Sequence, residues 1–295
     1  MRILLINTAL DHCVTALSEG GKIVCSLETP GRRAYANLLF RQIRELFDAD
    51  TVAANEIDGI ACVNGPGSFT GLRVGLAAAK GLALVHDLPI APVNTLLNCC
   101  LTMYDADVRE RMTPLPSTWY VSLLDARNER LYGAAYAAPV SDRPHWYIEH
   151  EPWVGAAADF FDCLEQRLTD GVVSLVGGRP NCRPERLVIG WAGARPEYFP
   201  TEEELTDRFG LEIAMRSGIY GFAETLVEMA VPVLSGMLPT AEADEIAVLS
   251  DEVDLPSTPK RVELTAVNAG NLLPLYVSLA QAERFLATSP SLPNS

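Results

Sequence analysis

The residues best placed to do chemistry in this 295-residue chain stand in one short stretch, Asn64-Gly-Pro-Gly-Ser-Phe-Thr-Gly-Leu-Arg-Val-Gly-Leu76. A glycine-rich loop that runs into a helix presents unpaired backbone amides at the positive end of the helix dipole, which suits a phosphate or another anion. Gly65, Gly67 and Ser68 are therefore the candidate anion or nucleotide loop. The usual phosphate spacings are missing. Gly71 is followed by Leu72 and Arg73 rather than by Lys and Ser/Thr, and the loop reads G-x-G-x-x-x-G with no acidic residue ending the next strand. Ser68 also lacks the G-x-S-x-G frame of a hydrolase nucleophile, and it suits a helix N-cap better.

Other chemistry-bearing residues are scattered. His12, His86, His145 and His150 form no H-x-x-x-H pair, and the seven cysteines at 13, 25, 62, 99, 100, 163 and 182 form no C-x-x-C pair. Neither a zinc site nor a disulfide framework is expected; buried thiols in a reducing compartment are. With 23 Lys+Arg against 38 Asp+Glu, the formal net charge is −15. Phosphate contacts supply most non-specific affinity for nucleic acid, so a chain this acidic is poorly suited to grip DNA or RNA alone. Arg32 and Arg33, with Arg41 and Arg44, form either a local basic patch or an ordinary solvated helix face.

The elements that must position these residues follow from composition and period. At 48% apolar and 21% charged residues the chain is globular, and its length allows roughly two domains. No apolar run reaches the ~18–20 residues that span a bilayer. Met1 to Asn7 carries one basic residue and a brief apolar burst, too short for a signal-peptide core, so it reads as a buried first strand of a soluble, cytoplasmic, non-membrane protein.

Strands are expected at 2–7, 12–18 and 22–28, the last two joined through Gly20-Gly21. A helix is expected at about 34–48, with Leu39, Ile43, Leu46 and Phe47 on one stripe. A strand at 57–63, the glycine-rich loop, a helix at 68–86, a strand at 89–93 and a helix after Asn94 complete the first half. The second half repeats the pattern: strands at 119–124, 130–137 and 146–148, a helix at 156–168, a strand at 187–190 and a later helix at 219–235. Two successive units of this kind build a duplicated ribonuclease-H-like, two-lobed α/β fold, as in the actin, Hsp70 and sugar-kinase (ASKHA) group. The expected lobes are 1–108 and 109–295, the polar 105–117 stretch lying at their junction. An acidic insertion is expected near 236–270, with a short strand around 262–267, an ordered return at 272–285 and a frayed 289–295.

Gly71, Gly75 and Ala79 recur every four residues in the second helix, with Ala78 beside them. Glycine inside a helix costs ~0.8–1.0 kcal/mol relative to alanine, so these positions call for a close neighbour. That neighbour is either this chain's own sheet or the helix of a second chain.

Asn64 to Ala83 resembles the signature segment of the TsaB family, the non-catalytic partner subunit in bacterial synthesis of N6-threonylcarbamoyladenosine at position 37 of tRNAs reading ANN codons. Leu124-Asp-Ala-Arg-Asn-Glu-Arg-Leu-Tyr132 is similar to that family's Asp-Ala-Arg strand and turn, and Leu273-Pro-Leu-Tyr276 to its C-terminal Pro-x-Tyr. The chain differs from the family pattern in reading Tyr35-Ala36-Asn37 for His-Ser-Glu and Asn7-Thr8-Ala9 for Asp-Thr-Ser, and in its greater length. The resemblance implies a pseudo-enzyme with no metal and no tightly bound cofactor, leaving room for a nucleotide at the partner interface. The catalytic relative, TsaD, holds a metal through paired histidines and binds ATP in its cleft.

Docking on a TsaD-type subunit through the first two helices is implied as well. That places Leu38, Arg41, Thr70, Gly71, Leu72, Val74, Gly75, Ala78 and Ala79 at the interface. A TsaE-type ATPase is a further partner, a homodimer an alternative assembly, and tRNA only an indirect contact. The competing reading is an independent ATP-dependent transferase of the ASKHA group or a glycoprotease-like peptidase.

Overall fold

The computed structural model describes residues 1–30, 35–50, 56–111, 117–138, 147–170, 175–176, 179–180, 183–192, 196–219, 221, 223–236, 260–261 and 272. The expected strand at 262–267, the frayed 289–295, the 273–276 motif and nearly all of 236–270 and 272–285 lie outside the described residues.

The first sheet is built from β1 (Arg2–Asn7), β2 (His12–Glu19), β3 (Lys22–Pro30), β4 (Gly59–Gly65) and β5 (Ile90–Asn94). Its order is β3-β2-β1-β4-β5, with β1–β2 and β2–β3 antiparallel and β1–β4 and β4–β5 parallel. Two helices, α1 (Tyr35–Asp50) and α2 (Phe69–His86), pack on it and on each other. Leu39, Ile43 and Leu46 are buried and Phe47 is half-buried, as the stripe requires. On the same inner face of α1, buried Gln42 accepts from the Cys13 thiol at 3.1 Å and donates to Thr29 at 3.0 Å, tying the helix to β2 and β3.

After α3 (Thr95–Arg111) the pattern recurs. The remaining elements are β6 (Thr118–Arg127), β7 (Arg130–Ala137), β8 (Tyr147–Ala156), α4 (Ala157–Asp170), β9 (Leu175–Val176), β10 (Arg179–Pro180), β11 (Arg186–Trp191), α5 (Glu202–Phe209), β12 (Glu212–Ser217), α6 (Ala223–Leu234) and β13 (Lys260–Arg261). The second sheet runs β12-β11-β6-β7-β8-β13. Taking β6, β7, β8, β11 and β12 in the roles of β1 to β5 reproduces the first sheet's order and its parallel and antiparallel pairings. The duplicated two-lobed α/β fold is therefore present.

Four elements had no counterpart among those expected: the two-residue strands β9 and β10, and the longer pair α5 and β12. The signal of the longer pair is local: Thr201 and Glu204 form a capping box, and Gly210 closes α5 in the left-handed conformation at φ 61°. The last described helix begins at Ala223 rather than 219, because Gly218 and Gly221 hold left-handed backbone at φ 72° and 71°. The third strand of the second half extends to Ala156, well past the expected 148.

The two sheets share an interior. α3 packs on β6, β7 and β11 of the second sheet, while α6, late in the chain, packs on all five strands of the first. One continuous apolar core joins Ile3, Leu5, Ile60 and Val93 to Tyr120, Leu124, Tyr136 and Val188 through Cys100, Met103, Leu226 and Ala230. A separate layer formed by Phe160, Phe161, Leu205 and Phe209 covers the outer face of the second sheet. α3 is fastened there by buried Asp107, whose carboxylate accepts from Tyr120 at 3.0 Å, from Arg216 at 3.0 Å and from Arg186.

Candidate functional site

Asn64-Gly-Pro-Gly-Ser68 leaves β4 and enters α2 at the mouth of a cleft of about 350 Å³. Three segments line this cleft: Ala9–Asp11 from the β1–β2 turn, Gly67–Thr70 from the start of α2, and Leu124–Arg127 from the end of β6, with Tyr132 and Ala192 behind them. The cleft thus lies between the lobes, where such folds place ligands.

Ser68 is the N-cap, its Oγ accepting from Gly71 N at 3.3 Å. Its own amide donates to the Ala9 carbonyl at 2.6 Å. Gly67 is extended at φ 159° and lies so close to Ala9 that a Cβ there would approach the Ala9 carbonyl oxygen to within 3.0 Å. The expected anion loop at Gly65, Gly67 and Ser68 consequently meets a different arrangement. A carbonyl oxygen, itself partially negative, engages the amide that a phosphate would use. At the end of β1, buried Asn7 donates to the Gly221 carbonyl at 3.3 Å and accepts from Ala9 N at 3.1 Å, so its amide is spent on the lobes themselves. The end of β1 thus offers no carboxylate, and the acids that line the cleft are Asp11 and Asp125. Among the described residues no group of three or more His, Cys, Asp or Glu side chains could hold a metal ion.

Across the cleft, Asp125 accepts from Arg127 N at 2.7 Å and from the Tyr198 hydroxyl at 2.8 Å. Burial, together with Asp125, raises the pKa of that phenol, so it stays a donor. The adjoining β6–β7 turn puts Arg127, Asn128 and Glu129 at φ 64°, 54° and 60°. A two-residue turn of this hand favours glycine at its second position. Glu129→Gly is expected to raise stability by roughly 1 kcal/mol, read from the urea midpoint at unchanged m-value. Burial pushes the Cys13 thiol up to about 11 and Cys62 and Cys99 up to about 12, which leaves them protonated and inert at neutral pH.

The residues expected at a partner interface divide into two groups. Leu72, Ala78 and Ala79 are buried, as are Gly71 and Gly75. A Cβ on Gly71 would fall within 3.0 Å of the Thr8 carbonyl oxygen, and one on Gly75 equally close to the Thr8 hydroxyl. The close neighbour that this small-residue stripe admits is the chain's own β1 end, so these five residues offer no docking surface. Arg41 and Thr70 are exposed, and Leu38 and Val74 half-buried.

The open face of α2 carries Arg73, Ala77, Gly81, Leu84 and Val85 instead, the last two 73% and 77% exposed. On the neighbouring helix α1, Phe40 is 57% exposed. Among the described residues nothing lies within 4 Å of where a Cβ on Gly81 would stand, so they supply no packing reason for a helical glycine. Helical period alone could have found this face, since 77, 81 and 84 fall on one stripe.

Comparison with known proteins agrees with the architecture. A crystal structure from Pseudomonas aeruginosa, of an uncharacterized protein with similarity to peptidase YeaZ, superposes with a TM-score of 0.61 at 19% identity. It covers 94% of this chain and 99% of that one. The chain thus shares the two-lobed α/β fold of that protein. Residues 30–140 match the family described as TsaD, tRNA N6-adenosine threonylcarbamoyltransferase. The Escherichia coli tRNA threonylcarbamoyladenosine biosynthesis protein TsaB is 32% identical over 136 residues, 46% of this chain and 55% of that protein. The Haemophilus influenzae TsaB is 28% identical over 225 residues, covering 75% of this chain and 83% of that protein. Within that fold, the relatives this chain matches here are TsaB proteins, and it spans about half the length of the Escherichia coli one. No helix among the described residues is long and apolar enough to cross a membrane.

Proposed function

We propose that the chain is a non-catalytic scaffold subunit in the formation of N6-threonylcarbamoyladenosine in tRNA, docking on a TsaD-type transferase through the open face of α1 and α2. The observation that carries this reading is the exposed apolar stripe Ala77-Gly81-Leu84-Val85 of α2, with Phe40 exposed on the neighbouring α1, on an otherwise strongly acidic protein. Large exposed side chains grouped on one face mark interaction sites, and a glycine free of internal contacts lets a partner backbone come close. A second support is the cleft, where the Ala9 carbonyl stands against the amide of Ser68 and Asn7 stands where a magnesium-binding acid is usual. A nucleotide then belongs at the partner interface rather than in this cleft. With a net charge of −15, the chain leaves contact with tRNA to other subunits, and a TsaE-type ATPase would join the assembly rather than act on this chain's cleft.

The test is co-purification with the TsaD-type subunit of the same organism, followed by reconstitution of tRNA modification. Wild-type chain is expected to form a one-to-one complex, while Leu84→Asp lowers affinity by at least about thirtyfold, since an apolar anchor at an interface centre is worth ~2 kcal/mol or more. Its melting temperature should stay within a few degrees of wild type. Wild-type protein that neither binds nor supports modification would refute the scaffold reading. Turnover of ATP or peptide by the chain alone would favour an enzyme instead.

A further inference from the structure

We infer that the two lobes are latched into one rigid body by a buried polar cluster between α3, α6 and the segment before α6, so that the cleft does not open and close. Two-lobed folds with a ligand cleft commonly work by hinge closure, which needs a lobe boundary that few packed contacts cross. Here the boundary is crossed three times. The apolar core is continuous from the first sheet to the second. α3 and α6 lie between the sheets and touch each other; α3 packs on strands of both sheets, and α6, which follows β12 of the second sheet, packs on the strands of the first. At their contact, Asn98 Nδ2 donates to Thr225 Oγ1 at 2.9 Å, and Thr102 Oγ1 donates to the Asn98 carbonyl at 3.0 Å, all three residues being buried.

Gly221 completes the latch. Its carbonyl accepts from Asn7, at the end of the first lobe's central strand, and its Cα faces Asn98 so closely that a Cβ would overlap the Asn98 oxygen. Buried polar groups this far from water must keep their partners, so any opening strands Asn7, Asn98 and Thr225 together. A latch of this kind resists partial motion much more than its few hydrogen bonds suggest, because they break as a set. Docking on α1 and α2 would therefore meet a fixed platform, and no lobe movement would relay it to the cleft. This inference does not depend on who the partner is.

Native-state hydrogen exchange on the full chain tests it. In wild type, the slowest amides of β1 and β4 in one lobe and of β6 and β11 in the other are expected to share one opening constant within about threefold. Amides of 98–102 and 223–230 should follow within about tenfold. Thr225→Val keeps the shape and removes the hydroxyl. It is expected to speed exchange at 98–102 and 223–230 by about tenfold more than in the slow strands of either lobe. Gly221→Ala should do the same more strongly; if it fails to fold, Thr225→Val still decides. Two separate opening constants in wild type, one per lobe, would overturn the latch. So would a Thr225→Val variant whose amides all change alike or do not change.

Discussion

Asp107→Asn is expected to destabilise the chain by about 3–5 kcal/mol at pH 7, with cooperative unfolding retained. The carboxylate is fully buried and answers two guanidinium groups and a phenol at once. Arg186 is itself buried and further paired with Glu212 at 2.9 Å, while Arg216 also reaches Glu110 at 2.7 Å. Removing the one negative charge at the centre leaves Arg186 with only the peripheral Glu212, and an uncompensated buried charge is what makes broken buried pairs costly. The effect is global because this cluster joins the C-terminal half of α3 to β6, β11 and β12, and α3 is half of what lies between the lobes.

The pH dependence is a second signature of the same group. Burial alone would raise the Asp107 pKa, but the hydrogen bond and charge of Arg186, with help from Tyr120 and Arg216, hold it below the ordinary carboxylate range. A carboxylate depressed in the folded state contributes stability that is present above its unfolded pKa, ~3.9, and is lost as pH falls through the folded value. Wild type should therefore lose this contribution on acidification below about pH 4, and the Asn variant should not. Urea midpoints of the two proteins, far apart at pH 7, are expected to converge as pH is lowered. A gap that stays constant with pH would mean that the loss at pH 7 comes from packing rather than from charge.

Much of the fold was legible because period and punctuation are local. The first five strands and two helices follow from alternation, from the Gly20-Gly21 turn and from the α1 stripe, and each appears within a few residues of its expected bounds. α5 and β12 carry equally local signals in Thr201, Glu204 and Gly210, but the stretch is short and its helix buries only Leu205 and Phe209, so no long apolar period announced it.

The packing partners were not legible. Nothing in the spacing of α6 says that it returns to the first sheet, since that depends on the crossing of the lobes rather than on its own residues. The site shows the same division. Ser68 as N-cap could be read from type and position, whereas the role of Ala9 could not. An alanine offers no chemistry in a sequence; its carbonyl matters only because the β1–β2 turn brings it to the start of α2.

The glycines of α2 show how far spacing alone can lead, and they supply the second large prediction. Gly71, Gly75 and Gly81 look alike in sequence, yet they face opposite ways. Gly75→Arg is expected to cost more than about 3 kcal/mol and to lower the yield of folded protein, because its side chain would displace Thr8 and bury a charge against β1. Gly71→Ala and Gly75→Ala should each cost about 1–3 kcal/mol by overpacking. Gly81→Ala has the opposite sign: open space meets its Cβ, so the isolated chain should gain ~0.8–1.0 kcal/mol of helix stability.

The same glycine then separates stability from docking. If a partner helix lies across Ala77, Gly81 and Leu84, Gly81→Arg abolishes the complex while thermal melting of the free chain stays at or above wild type. Gly75→Arg would also abolish it, but only by losing the fold, which circular dichroism would register. A complex that tolerates Gly81→Arg would move the docking face off α2, and the exposed Phe40 of α1 would then be the position to change.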